Sequence, residues 1–279
     1  MGLRINTNVA SLTAQRSLGA VTEKQNTTLS KLSSGTRINR AADDAAGLAI
    51  SEKLKASIRG ITQANRNAND GISMIQTAEG GLNEISSILV RLRELSVQAA
   101  SDTVGDPERS FTDIEYQNLK SEIDRISQVT EFNGKKLLNG MGEKYDFQIG
   151  INNNPTEDRI SYNAGTTNST LVNLGIGDLT VVTKETSQNS LTFIDEAIKR
   201  ISGQRADLGA IQNRLVSTST NLQGMSENLS AANSRIRDTD FANETAENVR
   251  LNILSQAGTA VLAQANTGQG TAAMKLLNG

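Results

Sequence analysis

Two stretches of the chain carry apolar residues at helical spacing. In the C-terminal half, Ile194, Ile201, Leu208, Leu215, Leu222, Leu229 and Ile236 recur at every seventh position, accompanied by the smaller or more polar Ala197, Gln204, Ile211, Thr218, Met225 and Ala232. A seven-residue repeat held without a miss predicts a coiled-coil seam, because a helix in a globular bundle has a wider apolar stripe and drifts out of heptad phase. By this reading Ser219 lies off the seam, on an exposed face. In the N-terminal half the spacing alternates between four and three: Leu54, Ile58, Ile61, Asn65, Ala68, Ile72, Ile75, then Ala78, Leu82, Ile85, Leu89, Leu92, Ser96 and Ala99. The short step between Ile75 and Ala78 reads as a stammer. As one helix, Leu54 to Ala99 would span about 70 Å. The simplest architecture pairs the two helices antiparallel in a rod, with the intervening segment as connection.

That segment, about 131–186, follows a different rule. Asn133-Gly134, Asn139-Gly140, Asn152-Asn153-Asn154-Pro155 and Gly175-Ile176-Gly177 are turn chemistry. Between them Tyr145, Phe147, Ile149 and Ile151 alternate with polar residues or glycine, the pattern of a half-buried strand. Ile160 with Tyr162, and Leu179 with Val181, predict two more short strands. Ahead of this segment, Asp106-Pro107 reads as an N-cap followed by Pro at the first helical position. The helix it opens has Tyr116, Leu119, Ile123 and Ile126 on one face.

The outer ends are poorer in apolar surface. Residues 1–44 are rich in Asn, Ser, Thr and Gln, with Ile5, Val9, Leu12, Leu18, Val21, Leu29 and Leu32 as the apolar positions. Residues 237–279 include an Ala-rich stretch from Leu254 to Ala265. Each end can be helical, yet neither holds a core by itself, so both depend on packing partners. The expected division is therefore a discontinuous terminal helical domain, 1–44 plus 237–279, and a helical rod, 45–236. The fold class is mainly α: a long antiparallel helical rod with a small β-hairpin region and terminal helices that pair.

Composition narrows the function. The 279 residues include no His, no Cys and no Trp, and none of the eight aromatics precedes Phe111. Ser-His-Asp and Cys-His chemistry, His or Cys metal ligation and disulfides are all unavailable. A formal net charge of −2 gives no bulk attraction to nucleic acid, and no run of 18 apolar residues is present to span a membrane. Without an apolar leader at the start, these facts alone would place the protein in the cytoplasm.

Candidate chemistry is thin. Asp43-Asp44 with Glu52 suggests helix-opening aspartates rather than a metal site. The nine Lys/Arg against four Asp/Glu in residues 1–60 lack interleaved aromatics and read as solvated or subunit-facing. Gly175-Ile176-Gly177 stops short of a dinucleotide fingerprint. Arg91, Arg93 and Glu94, with Arg91 and Leu95 spaced i,i+4, read as a solvated ridge. No acid–base pair or nucleophile emerges, so no catalytic, cofactor or metal residues are assigned.

Several runs are familiar together. The stretch Leu32-Ser-Ser-Gly-Thr-Arg-Ile-Asn-Arg-Ala-Ala-Asp-Asp-Ala-Ala-Gly-Leu-Ala-Ile50 resembles the N-terminal signature of bacterial flagellins. So do Gly71-Ile-Ser-Met-Ile-Gln-Thr-Ala-Glu79, Leu82-Asn-Glu-Ile85, Arg91-Leu-Arg-Glu-Leu-Ser-Val-Gln98 and Glu131-Phe-Asn-Gly134. Asn233-Ser-Arg-Ile-Arg-Asp-Thr-Asp-Phe241 and Gln256-Ala-Gly-Thr-Ala-Val-Leu-Ala-Gln-Ala-Asn266 resemble the family's C-terminal region. The likeness covers roughly 1–150 and 187–279, and a match at both ends in order is specific.

The resemblance implies a short flagellin lacking large variable outer domains, a structural subunit of the flagellar filament and not an enzyme. It implies a filament whose inner tube is lined by the two chain ends, with Ile5, Val9, Leu12, Leu29, Leu32, Val249, Ile253, Val261 and Leu262 as assembly positions. The rod core would hold Leu54, Ile61, Ile75, Leu82 and Leu89 together with the seven heptad residues from Ile194 to Ile236. Implied partners are further copies of the chain, alone or with sibling flagellins, the flagellar type III export apparatus, an export chaperone, the filament cap and the hook–filament junction proteins. A vertebrate Toll-like receptor is implied too, through Arg91, Leu95 and Glu115. Val90 departs there from the family's usual polar residue. The implied location is outside the cell, reached without a cleaved signal peptide. A hook-associated junction protein and a cytoplasmic coiled-coil scaffold are the alternatives.

Overall fold

The computed structural model describes the backbone of residues 7–277. The chain is mainly α, with small two-stranded hairpins. It divides into two compact units, residues 57–227 and residues 1–56 together with 228–279.

In the unit 57–227, most of α2 (Ala45–Ala99) and of α5 (Lys184–Arg237) run side by side. Their direction follows from the polar contacts between them. Asn65 meets Ser219, Arg93 meets Asp195, Ser96 meets Ser190 and Asp102 meets Lys184, so each step up α2 matches a step down α5. The antiparallel pairing expected from the two apolar series is the observed one. Ile61, Ile75, Leu82 and Leu89 from α2 and Ile194, Ile201, Leu208, Leu215 and Leu222 from α5 are all buried. The α2 helix is unbroken at the short step after Ile75, and Ala64 and Met74, both off the read series, are buried as well.

On α5 the structure departs from the strict heptad. Thr218 is only half-buried whereas Ser219 is buried, its hydroxyl donating to the Asn65 side-chain oxygen at 2.6 Å. The expectation that Ser219 is exposed is therefore wrong. A straight α-helix drifts by about 20° per heptad against a 3.5-residue repeat, so a secondary seam position moves from the third to the fourth residue along the series. By Met225 the read series has come to the surface.

The third helix, α3 (Asp106–Val129), packs with Tyr116 and Ile123 buried and Leu119 and Ile126 half-buried. Its cap is Gly105 in extended conformation, with no side-chain cap bond; Asp106 is already in the first turn, one residue inside the cap position read from sequence. Arg109 joins the end of α2 to this start, donating to the Ala99 and Ser101 carbonyls and to Asp106.

Two hairpins follow. Strands β1 (Glu131–Phe132) and β2 (Lys135–Lys136) are joined by Asn133-Gly134, at φ 50° and 75°. That left-handed pair is the two-residue turn that suits twisted antiparallel strands. Strands β3 (Lys144–Gln148) and β4 (Arg159–Asn163) pair with Tyr145 opposite Tyr162 and Phe147 opposite Ile160. Ile149 continues the buried face, but Ile151 lies beyond the strand and is exposed. The hairpins dock where α2 has no side chain in the way. A Cβ on Gly71 would come within 3.0 Å of the Phe147 ring, and one on Gly81 within 2.7 Å of Leu138.

No strand forms at Leu179 and Val181. After the short helix α4 (Leu171–Leu174), that segment has its backbone satisfied by side chains of α3 instead. Lys120 donates to the Gly177 and Leu179 carbonyls, Gln117 to Leu179, and the Val181 amide donates to Asp113. Alternation showed which side chains are buried; it could not show that the ladder partner is a helix face.

In the other unit, α1 (Val9–Ser34) and α6 (Phe241–Leu277) lie antiparallel. Asn8 bonds Ala265, Gln25 bonds Asn252 and Lys31 faces Glu244. Asn8 caps α1 by accepting from the Ser11 amide, and Gly35, at φ 68°, ends it. Beyond Gly35 the chain crosses the end of α5. The Arg37 amide donates to the Arg237 carbonyl at 2.6 Å and the Thr239 amide to Gly35 at 3.0 Å. Among the described residues of this unit, Ile38 and Leu251 are the large apolar side chains that are buried.

Candidate functional site: an apolar face on the terminal helices

The two ends of the chain find partners in each other, yet most of their apolar residues remain uncovered. Val9, Leu12 and Leu29 on α1, and Val249, Ile253 and Val261 on α6, are between 49% and 63% exposed. Leu32 and Leu262 are half-buried, and Ile5 lies outside the described residues. Between the helices runs an open groove of about 780 Å³, lined by Val9, Ala14, Leu18, Val21, Leu254 and Val261 among others, with Thr13 and Ser17 as hydroxyl-bearing residues along it. The cause is compositional. With small Ala, Gly, Ser and Thr residues along both helices, two helices in contact bury only part of their apolar surface, and exposed apolar residues beside an apolar groove suit an interaction surface.

The polar residues of the same unit have structural duties. The Asp43 carboxylate accepts from the Asn39 and Arg40 amides at 3.0 and 2.8 Å, and these bonds hold it below the usual carboxylate range. Asp44 accepts from the Gly47 amide and so caps α2. Glu52 receives Arg237 at 2.6 Å. The three carboxylates thus serve three different partners, and among the described residues no His, Cys, Asp and Glu cluster could hold a metal ion.

In the unit 57–227 the ridge on α2 divides in two. The Arg91 guanidinium donates to Glu115 on α3 at 2.8 Å and to Glu94 at 3.0 Å, and both acidic partners are exposed. Leu95 points the other way: it is 2% exposed and packs in the core. Arg91 and Glu115 therefore present a surface together, while Leu95 supports it from beneath. Beneath the same helix, Tyr116 is buried beside the bonded pair Ser96 and Ser190. Its hydroxyl makes no hydrogen bond of ordinary geometry, and burial pushes the phenol up to about 12, the nearby serine hydroxyls opposing only in part. Sequence periodicity identifies Tyr116 and Ser96 as core positions but gives no sign that they meet.

Of the remaining core positions, Leu54, Leu229 and Ile236 are half-buried, unlike the fully covered middle of the series. No described helix is long and apolar enough to cross a membrane.

Long paired helices, side chains engaged in packing and capping, and an uncovered apolar face define a helical structural protein that associates through its surface. Comparison with known proteins supplies the family. The bacterial flagellin N-terminal helical region matches residues 5–143, and the bacterial flagellin C-terminal helical region matches residues 191–272. The chain is 45% identical over 273 residues to a flagellin of Halalkalibacterium halodurans, covering 98% of this chain and 99% of the relative. It is 44% identical over 297 residues to a flagellin of Bacillus subtilis, covering 95% and 96%. The crystal structure of Bacillus cereus flagellin superimposes with a TM-score of 0.51 at 31% identity, over 60% of this chain and 94% of that one. The chain belongs to the bacterial flagellin family: it is a structural subunit of the flagellar filament, not an enzyme.

Proposed function

We propose that the chain polymerises through the apolar face of α1 and α6, with neighbouring copies covering what the intramolecular pairing leaves bare, so that residues 1–44 and 237–279 line the inner tube. The observation that carries this reading is the contrast in burial: seam residues of α5 such as Leu215 are fully covered within one chain, whereas Val9, Ile253 and Val261 are more than half exposed. Burying apolar area yields roughly 25 cal/mol per Å², a gain these side chains leave unrealised in a single copy.

The same face supports the narrower roles that the family resemblance implies. Before assembly, an apolar helix such as α6 needs a cover, which suits an export chaperone. Marginal terminal helices suit passage through the type III apparatus in an unfolded state, without a cleaved signal, and folding at the tip beneath a cap. The filament base would then rest on the hook–filament junction proteins. Recognition by a Toll-like receptor would use the Arg91–Glu115 surface, with Leu95 holding α2 in place below it. The test of assembly is electron microscopy of purified protein after salt-induced polymerisation. Deletion of residues 260–279 should leave a soluble helical protein that forms no filaments; normal filaments from it would show that the terminal face is not the assembly surface.

A further inference from the structure

Three asparagines in the chain are followed by glycine: Asn133, Asn139 and Asn278. In such a pair the glycine amide nitrogen, once it gives up its proton to solvent, can attack the asparagine side-chain carbon, because no Cβ obstructs its approach. The new bond between that nitrogen and Cγ closes a cyclic imide, and the side-chain nitrogen departs as ammonia. Water then opens the ring on one side or the other. The product is aspartate, or isoaspartate with the main chain routed through the side-chain carbon. Water is the only co-reactant, so what the fold controls is whether the two groups can meet.

Asn278 lies outside the described residues, and the other two stand in contrasting surroundings. Asn133 and Gly134 are both exposed, at the tip between β1 and β2. Among the described residues, Asn133 alone of the non-glycine residues has a positive φ, 50°. No hydrogen bond among the described residues holds its side chain or the Gly134 amide. Nothing lies within 4 Å of the place a Cβ on Gly134 would take. The hairpin beneath has only two residue pairs, Glu131 with Lys136 and Phe132 with Lys135. Opening this turn into the ring-closing geometry therefore breaks few bonds.

Asn139 is pinned. Its side-chain oxygen accepts from the Met141 amide at 3.0 Å, which fixes the plane of the group that Gly140 would have to attack. The Asn168 side chain packs over Gly140 so closely that a Cβ there would clash with it. Asn139 and Asn168 also form a β-bridge. The two residues ahead, Leu137 and Leu138, are fully buried, and their carbonyls accept from the Tyr162 hydroxyl and the Ser169 amide. Rotation here breaks several contacts at once. Asp70-Gly71, the aspartate counterpart of these pairs, lies inside α2, where the helix holds the backbone.

We propose that Asn133 is a site of self-modification in the native protein, converting to aspartate and isoaspartate, while the fold shields Asn139 from the same reaction. Conversion places a carboxylate next to the Gly134-Lys135-Lys136 run. The isoaspartate form also lengthens the main chain of the turn by one methylene, which spoils the two-residue match between the strands.

Trypsin separates the two sites, since cleavage after Arg125, Lys135, Lys136 and Lys144 puts Asn133 and Asn139 in different peptides. The full-length native protein would be held in mildly alkaline buffer and digested briefly at intervals. Mass spectrometry scores each peptide for the gain of one mass unit that follows when the amide NH2 is replaced by OH, and an isoaspartyl methyltransferase labels the isoaspartate form. A parallel sample in urea gives the rate of each site without the fold. Relative to its own rate in urea, native Asn133 should slow by no more than a few-fold. Native Asn139 should slow by about tenfold or more, as befits a group that reacts only from a rarely opened state. Equal slowing at the two sites, or greater slowing at Asn133, would overturn the proposal.

Discussion

The middle of the α2–α5 seam and the terminal pair α1–α6 are both antiparallel helix pairs, yet they handle apolar surface in opposite ways. In the seam, Leu82, Leu89, Ile201 and Leu215 are shut away completely, helped by a third helix and two hairpins. In the terminal pair, Val9, Ile253 and Val261 stay largely in contact with solvent. Two helices cannot cover a stripe that is wide on both, and the segment after α1 reaches only its C-terminal end, where Asn39 donates to Ser30. The lesson is that helical periodicity marks a surface to be buried without saying whether the same chain will bury it.

The sharpest way to break this comparison is to charge each face in turn. Leu12→Asp or Val261→Asp should abolish filament formation at concentrations where the unmodified protein assembles, with the monomer's melting curve unchanged. Leu215→Ala should do the reverse first, lowering stability by about 2–5 kcal/mol through the cavity it leaves, as measured by urea denaturation. Should Leu215→Ala denature like the unmodified protein, the seam is held by some other face.

The buried phenol gives a pH-dependent version of the same test. Tyr116 is raised from its ordinary value to about 12 by burial. A group raised on folding binds its proton more tightly in the native state. The stability this represents is complete below pH 10 and is lost as pH rises through about 12. Tyr116→Phe should therefore flatten the alkaline loss by about 2–3 kcal/mol relative to the unmodified protein. Near neutral pH it should change little, because the hydroxyl it removes has no hydrogen bond. Identical alkaline denaturation of the two proteins would count against a buried phenol whose ionisation folding opposes.

Smaller effects separate seam from surface. Ser219→Ala alone should cost about 0.5–1.5 kcal/mol, the net worth of one hydrogen bond to a half-buried Asn65, whereas Met225→Ala, at a heptad-series position that has reached the surface, should cost clearly less than Leu215→Ala. Arg91→Ala should lower stability only slightly, as both sides of its ion pairs are solvated. A larger loss would mean that the α2–α3 contact depends on that pair more than on Leu95 and Tyr116 beneath it.

Much of this was open to reading from the chain. The heptad series gave α5 and its buried middle, and the four-three series gave α2. The turn residues located the hairpins, and the terminal signatures pointed to the family. These features follow from local rules: 3.6 residues per turn, two-residue alternation, and the positive φ that Asn-Gly accepts. Only the tertiary structure decided the rest. It placed Ser219 in the seam rather than Thr218, because helix drift accumulates over several turns against a partner. It turned Leu95 inward, made Leu179 and Val181 a segment pinned by α3 instead of a strand, and moved the α3 cap to Gly105. Each of these depends on which surface lies opposite, and a period along one chain segment carries no information about its neighbour.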